Sequence, residues 1–560
     1  MESFLSTALS FLEGSGLARL GISAPFTIPS GIVTTVPSVI ARIAENIPEI
    51  GFLTTKTLSV EPREGYREPV LHEYYPGCFV NAVGLANPGA RAFRDAMEPL
   101  LPLAGGKPLV VSIMGSAPEE FAECARILEP ISDAFELNFS CPHVKGAGQS
   151  VGSDPDAVCE TLRLLKKGTA KPIIPKLSPN LGNIPHMAAL CEEEGAVALT
   201  LINTVGPGVV TDEEGNPILS NVAGGLSGAA ILPLGLKAVQ EASSRVRLPI
   251  IAAGGIGSAE HVRAYLSAGA CLFSIGSALA GMTTAEVAEF FRVLVGSLEE
   301  ESGSRRAVIC RSTTARTTYT KTRVSANVPI GPDLFKLTLE AGPPCEPGRF
   351  FFLRLPQAGE KPFSPASDNP PTFLVRKVGP FTAALEALNA GDNIFLRGPY
   401  GKGFPEPRAG SRLVLVGGGT GAAPLLMAAD RWSSSIVRAF FGFSEPIAEQ
   451  ISNEILTRVP CSRILIDPPG HPGEIITAIV SDIASRGDEY ENCAAFICGP
   501  APMMRAAVRV LRQQVGIDAM FTAREDIMRC GIGVCGSCGT PSGLRSCVDG
   551  PVMRPEVGGL

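Results

Sequence analysis

Ala134-Phe-Glu-Leu-Asn-Phe-Ser-Cys141 is a short apolar run that ends in polar, chemically versatile side chains. The same event recurs through the first half of the chain. The runs are 25–28, 51–55, 109–113, 134–137, 172–175, 198–202, 249–252 and 271–275. Amphipathic stretches at 90–100, 119–128, 156–166 and 259–268 separate several of them. Eight β/α units in this length predict a (β/α)8 barrel rather than an open doubly wound sheet. Barrel enzymes carry their chemistry at the C-terminal strand ends. Here those ends hold Ser30, Lys56-Thr57, Ser112, Asn138 to Cys141, Lys176, Asn203-Thr204, Gly254-Gly255 and Gly276-Ser277. The paired glycines of the last two ends suit a phosphate held by backbone N–H groups.

The chain has 560 residues, enough for three or four domains, and its 45% hydrophobic content supports sizeable cores. A net charge of −7 with no basic run excludes a nucleic-acid face, and one Trp and seven Tyr offer few stacking platforms. Fifteen Cys outside a short secreted framework indicate a reducing compartment. Residues 1–13 lack a basic n-region and read as a helix, not a signal peptide. The expectation is a soluble cytoplasmic protein without membrane or nucleic-acid partners.

A charged, Gly/Ser-rich stretch at 293–312 marks a boundary. Beyond it, Thr/Val-rich runs at 316–324, 334–339, 350–355, 372–378 and 393–396 predict a small antiparallel barrel. Arg412-Leu-Val-Leu-Val-Gly-Gly-Gly-Thr-Gly-Ala-Ala-Pro-Leu425 then runs from strand through a glycine turn into a helix. That context makes Gly417, Gly418, Gly419, Thr420 and Gly421 a dinucleotide pyrophosphate loop. Further α/β units follow at 437–443, 463–467 and 494–498. Arg438 is a candidate for a 2′-phosphate, or else a solvated charge.

Near the C-terminus, Cys530, Cys535 and Cys538 are spaced C-x4-C-x2-C, and Cys547 follows. Soft thiolates select zinc, copper(I) or iron–sulfur centres. The spacing is that of a plant-type [2Fe–2S] ligand set, with structural zinc as the alternative. Such a cluster passes single electrons and requires redox partners on both sides.

Within residues 20–290, Asn81-Ala-Val-Gly-Leu-Ala-Asn-Pro-Gly89, Asn138-Phe-Ser-Cys-Pro-His-Val-Lys145, Lys176-Leu-Ser-Pro-Asn180, Ile202-Asn-Thr204 and Gly224-Gly-Leu-Ser-Gly228 together resemble the class 1B dihydroorotate dehydrogenase catalytic subunit. The resemblance implies FMN on Ser30, Lys56, Thr57, Ser112, Asn138, Lys176, Ile202, Gly228, Gly254, Gly255, Gly276 and Ser277. It implies substrate on Lys56, Asn81, Ala82, Val83, Gly84, Leu85, Asn138, His143, Asn203 and Thr204. Cys141 is then the catalytic base, with Lys56 beside it in the catalytic set. A thiolate serves as base where a cation or dipole lowers its pKa. Two positions depart from the family pattern: His143 and Ser112 stand where the family has Asn. They motivate an alternative, NAD(P)H-dependent reduction of another pyrimidine such as uracil or thymine by the same architecture.

Pro347-Gly-Arg-Phe350, Lys361-Pro-Phe-Ser364, Gly398-Pro-Tyr-Gly-Lys-Gly-Phe404 and Cys498-Gly-Pro500 resemble the ferredoxin–NADP reductase superfamily. More narrowly, they are similar to the electron-transfer subunit that partners class 1B dihydroorotate dehydrogenases. That resemblance implies FAD on Lys361, Pro362, Phe363, Ser364, Val375, Arg376, Lys377 and Thr382, NAD on the Gly417–Gly421 loop, and the cluster on Cys530, Cys535, Cys538 and Cys547. Lys361 replaces the family's arginine, which loses a bidentate fork, and the last gap of the cysteine motif is shorter than in the family. The two subunits are separate chains there and fused here, which raises effective concentration without new contacts. The expected domains are a barrel at 1–305, a FAD-binding β-barrel at 306–408, a nucleotide domain at 409–520 and a cluster domain at 521–560. The family's paired barrels imply a homodimer. The expected reaction is oxidation of (S)-dihydroorotate to orotate in de novo pyrimidine biosynthesis, with electrons passing from FMN through the cluster and FAD to NAD+.

Overall fold

A computed structural model describes residues 4–139, 151–180, 182–299, 317–468, 473–516 and 519–558. The chain divides into two compact units, residues 1–315 with 532–539, and residues 316–531 with 540–560. Among the described residues no helix is long and apolar enough to cross a membrane.

The first unit contains β1 (Phe26–Thr27), β2 (Leu53–Thr54), β3 (Leu71–Tyr75), β4 (Cys78–Asn81), β5 (Leu109–Ile113), β6 (Ala134–Asn138), β7 (Ile173–Leu177), β8 (Leu199–Leu201), β9 (Val205–Val209), β10 (Ala223–Gly228), β11 (Ile250–Ala253) and β12 (Leu272–Ser274). Eight of these form one parallel sheet in the order β1-β12-β11-β8-β7-β6-β5-β2. A parallel bridge from Phe26 to Ile50, with the Gly51 N–H donating to the Phe26 carbonyl at 3.0 Å, joins its two ends. These are the eight runs read from the sequence. They read clearly because strands buried on both faces are almost continuously apolar. The helices between them begin at recognisable stops. Asp154 caps Pro155–Gly168 by accepting from the Asp156 N–H, and Ser258 caps Ala259–Ser267 by accepting from the His261 N–H. A second sheet, β3-β4-β10-β9, is antiparallel. The sequence did not announce it, because β9 is Val-Gly-Pro-Gly-Val and β10 holds three glycines.

The second unit opens with β13 (Thr320–Pro329), β14 (Leu334–Leu339), β15 (Phe350–Leu355), β16 (Gly359–Phe363), β17 (Pro365–Asp368), β18 (Pro371–Arg376) and β19 (Asn393–Tyr400). They form an antiparallel sheet in the order β16-β15-β19-β13-β14-β18-β17. β20 (Arg412–Gly418), β21 (Ile436–Phe443), β22 (Ser462–Ile466), β23 (Cys493–Cys498), β24 (Met520–Ala523) and β25 (Val552–Met553) follow. The sheet β22-β21-β20-β23-β24-β25 is parallel apart from its last strand. From β20 the chain winds outward through β21 and β22, then returns to β23 on the other side. The crevice between β20 and β23 is therefore a topological switch point, where open α/β sheets bind ligands.

Inside the antiparallel sheet, Arg397 and Glu360 are fully buried and joined by two hydrogen bonds, Nε to Oε2 at 2.8 Å and Nη2 to Oε1 at 2.6 Å. Tyr319 donates to the same carboxylate at 2.6 Å, and the guanidinium lies 3.8 Å from the centre of the Phe352 ring. Burial, reinforced by the Glu360 charge, pushes the Tyr319 hydroxyl well above its ordinary range. Removing one charge of such a pair strands the other in a dry site. Glu360→Gln is expected to destabilise this unit by about 3 kcal/mol. Denaturant titration followed by the fluorescence of Trp432, the sole tryptophan, measures this.

Candidate active site

The C-terminal strand ends of the barrel surround a cavity of about 270 Å³. Ser30, Gly31 and Ile32 follow β1, and Lys56-Thr57 follow β2. Asn138 ends β6, Lys176 lies on β7, and Ile202 to Thr204 follow β8. Gly254 and Gly255 follow β11, with Gly276 and Ser277 after β12. Asn81 to Leu85 and Gly228 approach from the antiparallel sheet and its loops. The barrel residues anticipated for cofactor and substrate thus line one cavity, with three exceptions. Cys141 and His143 lie outside the described residues. Ser112 is fully buried behind the wall, not on it. The correction has a geometric cause: Ser112 sits on β5 in register with Glu136 on β6, and its hydroxyl turns to that carboxylate at 3.0 Å.

The wall has a defined polar character. Lys56 and Lys176 bring cationic side chains to it, and both residues are largely buried. The Lys176 ammonium lies 3.6 Å from Glu136. Gly254 and Gly255 have φ of 112° and 77°, a backbone region that side chains rarely adopt. A Cβ on Gly255 would meet the Leu232 backbone at 3.0 Å. Sequence reasoning missed Arg63, Tyr66, Asn180 and Asn221, which also line the cavity. Arg63 carries a buried Nε without a hydrogen-bond partner, aimed at no acceptor in the described structure. The run Glu61-Pro-Arg-Glu-Gly65 was its only sequence signal. A cavity with cations, amides and exposed backbone at glycines fits an anionic, oxygen-rich ligand beside a phosphorylated cofactor.

Comparison with known proteins agrees with that chemistry. Residues 16–290 match the family described as dihydroorotate dehydrogenase. Catalytic subunits named dihydroorotate dehydrogenase B (NAD(+)) are similar over the same half. The Pyrococcus horikoshii protein is 41% identical over 255 residues, 46% of this chain and 82% of that relative. The Pyrococcus furiosus protein is 39% identical over 283 residues, 50% of this chain and 91% of the relative. The Methanothermobacter thermautotrophicus protein is 37% identical over 272 residues, 48% of this chain and 88% of the relative.

The chain belongs to the dihydroorotate dehydrogenase family.

Residues 525–556 match a second description, the iron-sulfur cluster binding domain of dihydroorotate dehydrogenase B. Within that match Cys530, Cys535, Cys538 and Cys547 are all buried. Gly531, Gly533 and Gly536 between them have φ of 80°, 70° and 68°. A chain turned at such glycines directs its N–H groups inward, as a sulfur cluster requires. Among the described residues, no three His, Cys, Asp or Glu gather as they would around one metal ion. Cys530 and Cys547 belong to the second unit, and Cys535 and Cys538 to the first. In the second unit Cys530 accepts a hydrogen bond on its carbonyl from Arg397 at 2.8 Å.

The remaining expectations fall on the second unit. Gly417 to Gly421 connect β20 to the helix Ala422–Trp432. A Cβ on Gly421 would lie 2.4 Å from the Cys498 carbonyl, and one on Gly418 2.6 Å from the Met503 sulfur, so the loop is drawn tightly onto the end of β23. Lys361, Pro362 and Phe363 lie on β16 with Ser364 next to it, and Val375 and Arg376 on β18. Two of the expected FAD contacts already have protein partners. The Lys377 ammonium is 3.0 Å from Glu386, and the Thr382 hydroxyl accepts from the N–H groups of Val378 and Gly379.

Arg438 lies near the beginning of β21, away from the ligand-binding strand ends. It pairs with Asp482 at 3.0 Å and with Glu489. Two carboxylates compensate its charge, so it is not a 2′-phosphate receptor. Arg438→Ala is expected to lower the melting temperature without changing the ratio of NADH to NADPH turnover, as paired steady-state assays would show.

Of the other described cysteines all but the half-buried Cys461 are buried, as fillers are. Burial pushes the thiols of Cys124, Cys191 and Cys345 up to about 12, and that of Cys271 to about 11. Because the thiolate is the reactive form, iodoacetamide at about pH 8 should leave these four unmodified in the native protein. Mass spectrometry should find all four labelled after denaturation.

Proposed function

We propose that the chain oxidises (S)-dihydroorotate to orotate in pyrimidine biosynthesis, as an NAD-dependent dihydroorotate dehydrogenase carrying its electron-transfer module on the same chain. The observation that carries this reading is the single cavity that collects Lys56, Asn138, Lys176, Asn203 and the paired glycines of two strand ends. When bound, FMN would supply a hydride acceptor, and a [2Fe–2S] cluster with FAD would supply a route for electrons to NAD+.

The chain's own residues position and deprotonate. Asn81, Asn138 and Asn203 offer amides that match the alternating donors and acceptors of a pyrimidine ring. Lys56 and Arg63 bring positive charge to a substrate that bears a carboxylate. Gly254, Gly255, Gly276 and Ser277 would hold the cofactor phosphate, and Lys176 would lie by the flavin. Cys141 takes the proton from the carbon next to the one that loses hydride. In the second unit the switch-point crevice beside Gly417–Gly421 would receive the nicotinamide nucleotide, and Lys361 to Ser364, Val375 to Lys377 and Thr382 would hold FAD. Cys530, Cys535, Cys538 and Cys547 would hold the [2Fe–2S] cluster. The barrels pair as a homodimer.

The purified protein is expected to be brown and to carry FMN, FAD and about two irons per chain. Anaerobic addition of dihydroorotate should bleach the flavin absorbance. Bound zinc in a colourless protein would refute the cluster, and unbleached flavin would favour a different pyrimidine. Cys141→Ser is expected to slow flavin reduction by dihydroorotate by at least about a hundredfold. NADH should still reduce FAD in that variant, and stopped-flow spectroscopy separates the two steps.

A further inference from the structure

In the second unit the buried Arg397 guanidinium is engaged on three sides. Its Nε and Nη2 donate to the Glu360 carboxylate at 2.8 and 2.6 Å. Its Nη1 donates to the Tyr400 hydroxyl at 3.2 Å and to the Cys530 carbonyl at 2.8 Å. Its face lies 3.8 Å from the centre of the Phe352 ring. The fork locked on Glu360 thus fixes where Nη1 meets Cys530. The Cys530–Gly531 peptide is trans. In a planar trans peptide the carbonyl and the following N–H point in opposite directions. With the Cys530 carbonyl turned to Arg397, the Gly531 N–H is turned away from it. Gly531 is buried, and among the described residues its N–H has no acceptor. Buried backbone N–H groups are rarely left so. Glycine is required at this place. Its φ is 80°, and a Cβ would lie 2.9 Å from the Phe352 ring and 3.2 Å from Arg397 Nη1. A side chain there would lift the peptide off the guanidinium.

From this geometry we infer that Arg397 is a positioning residue for the iron–sulfur cluster: by holding the Cys530 carbonyl it aims the Gly531 N–H at a cluster sulfur, and so helps to set the cluster's reduction potential. Hydrogen bonds to the sulfurs are among the determinants of that potential. A donor stabilises the reduced, more negative cluster, so losing the donor lowers the potential. Glu360 has two parts in the arrangement. It orients the fork, and it compensates the Arg397 charge. Lysine is no substitute for the arginine, because a single ammonium drawn to Glu360 lacks the fork that reaches carboxylate and carbonyl at once. Cys530 makes further contacts, so the deciding comparison is between chains that keep and chains that lose this one donor.

The inference rests on the cluster reading of the four cysteines, and the test separates the two. The cluster potential is measured in the full chain by redox titration, with the EPR signal of the reduced cluster as readout. Wild type is compared with Arg397→Lys and with the double variant Arg397→Met/Glu360→Leu, which removes both charges together and strands neither. Iron content and melting temperature are measured alongside. Both variants are expected to keep about two irons per chain. Both should shift the one-electron equilibrium about tenfold toward the oxidised cluster, the worth of one hydrogen bond, or about 59 mV. A wild-type potential in the double variant overturns the inference. A lowered potential there with a wild-type potential in Arg397→Lys also overturns it, because charge and not the fork then sets the value. Should the double variant fail to hold iron, Arg397→Lys alone decides: a lowered potential supports the inference and an unchanged one overturns it. A wild-type chain that holds zinc, or gives no signal of a reducible cluster, overturns the functional reading itself, and the inference with it.

Discussion

A polar group placed inside a closed parallel barrel has no access to water and must be satisfied by its neighbours. Glu136 is the most demanding case here, a carboxylate facing inward from β6 with 4% of its surface exposed. Its partners come from three other strands: Ser112 on β5, Lys176 on β7 and Thr200 on β8. The register that pairs Ser112 with Glu136 and Lys176 with Thr200 places them there. A one-residue slip would turn each of these side chains to the opposite face. The charge thus ties strand register to the polar floor of the cavity.

The second unit meets the same constraint differently. Arg397 and Glu360 are buried in an antiparallel sheet among Tyr319, Phe352 and Tyr400, and the guanidinium also reaches the Cys530 carbonyl. Replacing such a pair with apolar residues is often neutral for stability, and what the pair does here is hold a position. Here the position is that of the first cysteine of the C-x4-C-x2-C motif.

The glycines of the two units serve different ends. Gly254 and Gly255 supply left-handed backbone conformations at the cavity. Gly418 and Gly421 are required first by the close approach of Met503 and the Cys498 carbonyl. A glycine-rich turn in a sequence is compatible with either role. In the second unit it is the strand order around β20 and β23 that adds a ligand-binding crevice.

The sequence by itself determined the eight barrel strands, because burial on both faces leaves a continuous apolar record, and the polar strand ends, because no packing argument explains them. It also determined the cysteine spacing and the glycine turn after β20. It did not show the β3-β4-β10-β9 sheet, in which the Gly-rich β9 and β10 lack an alternating apolar pattern. Nor did it show Arg63 on the cavity wall or Arg438 held between Asp482 and Glu489. Only the tertiary structure decided that Ser112 turns away from the cavity toward Glu136. The reason is physical: a sequence names donors and acceptors, but which of them faces which is settled by strand register and by the few partners a buried group can reach.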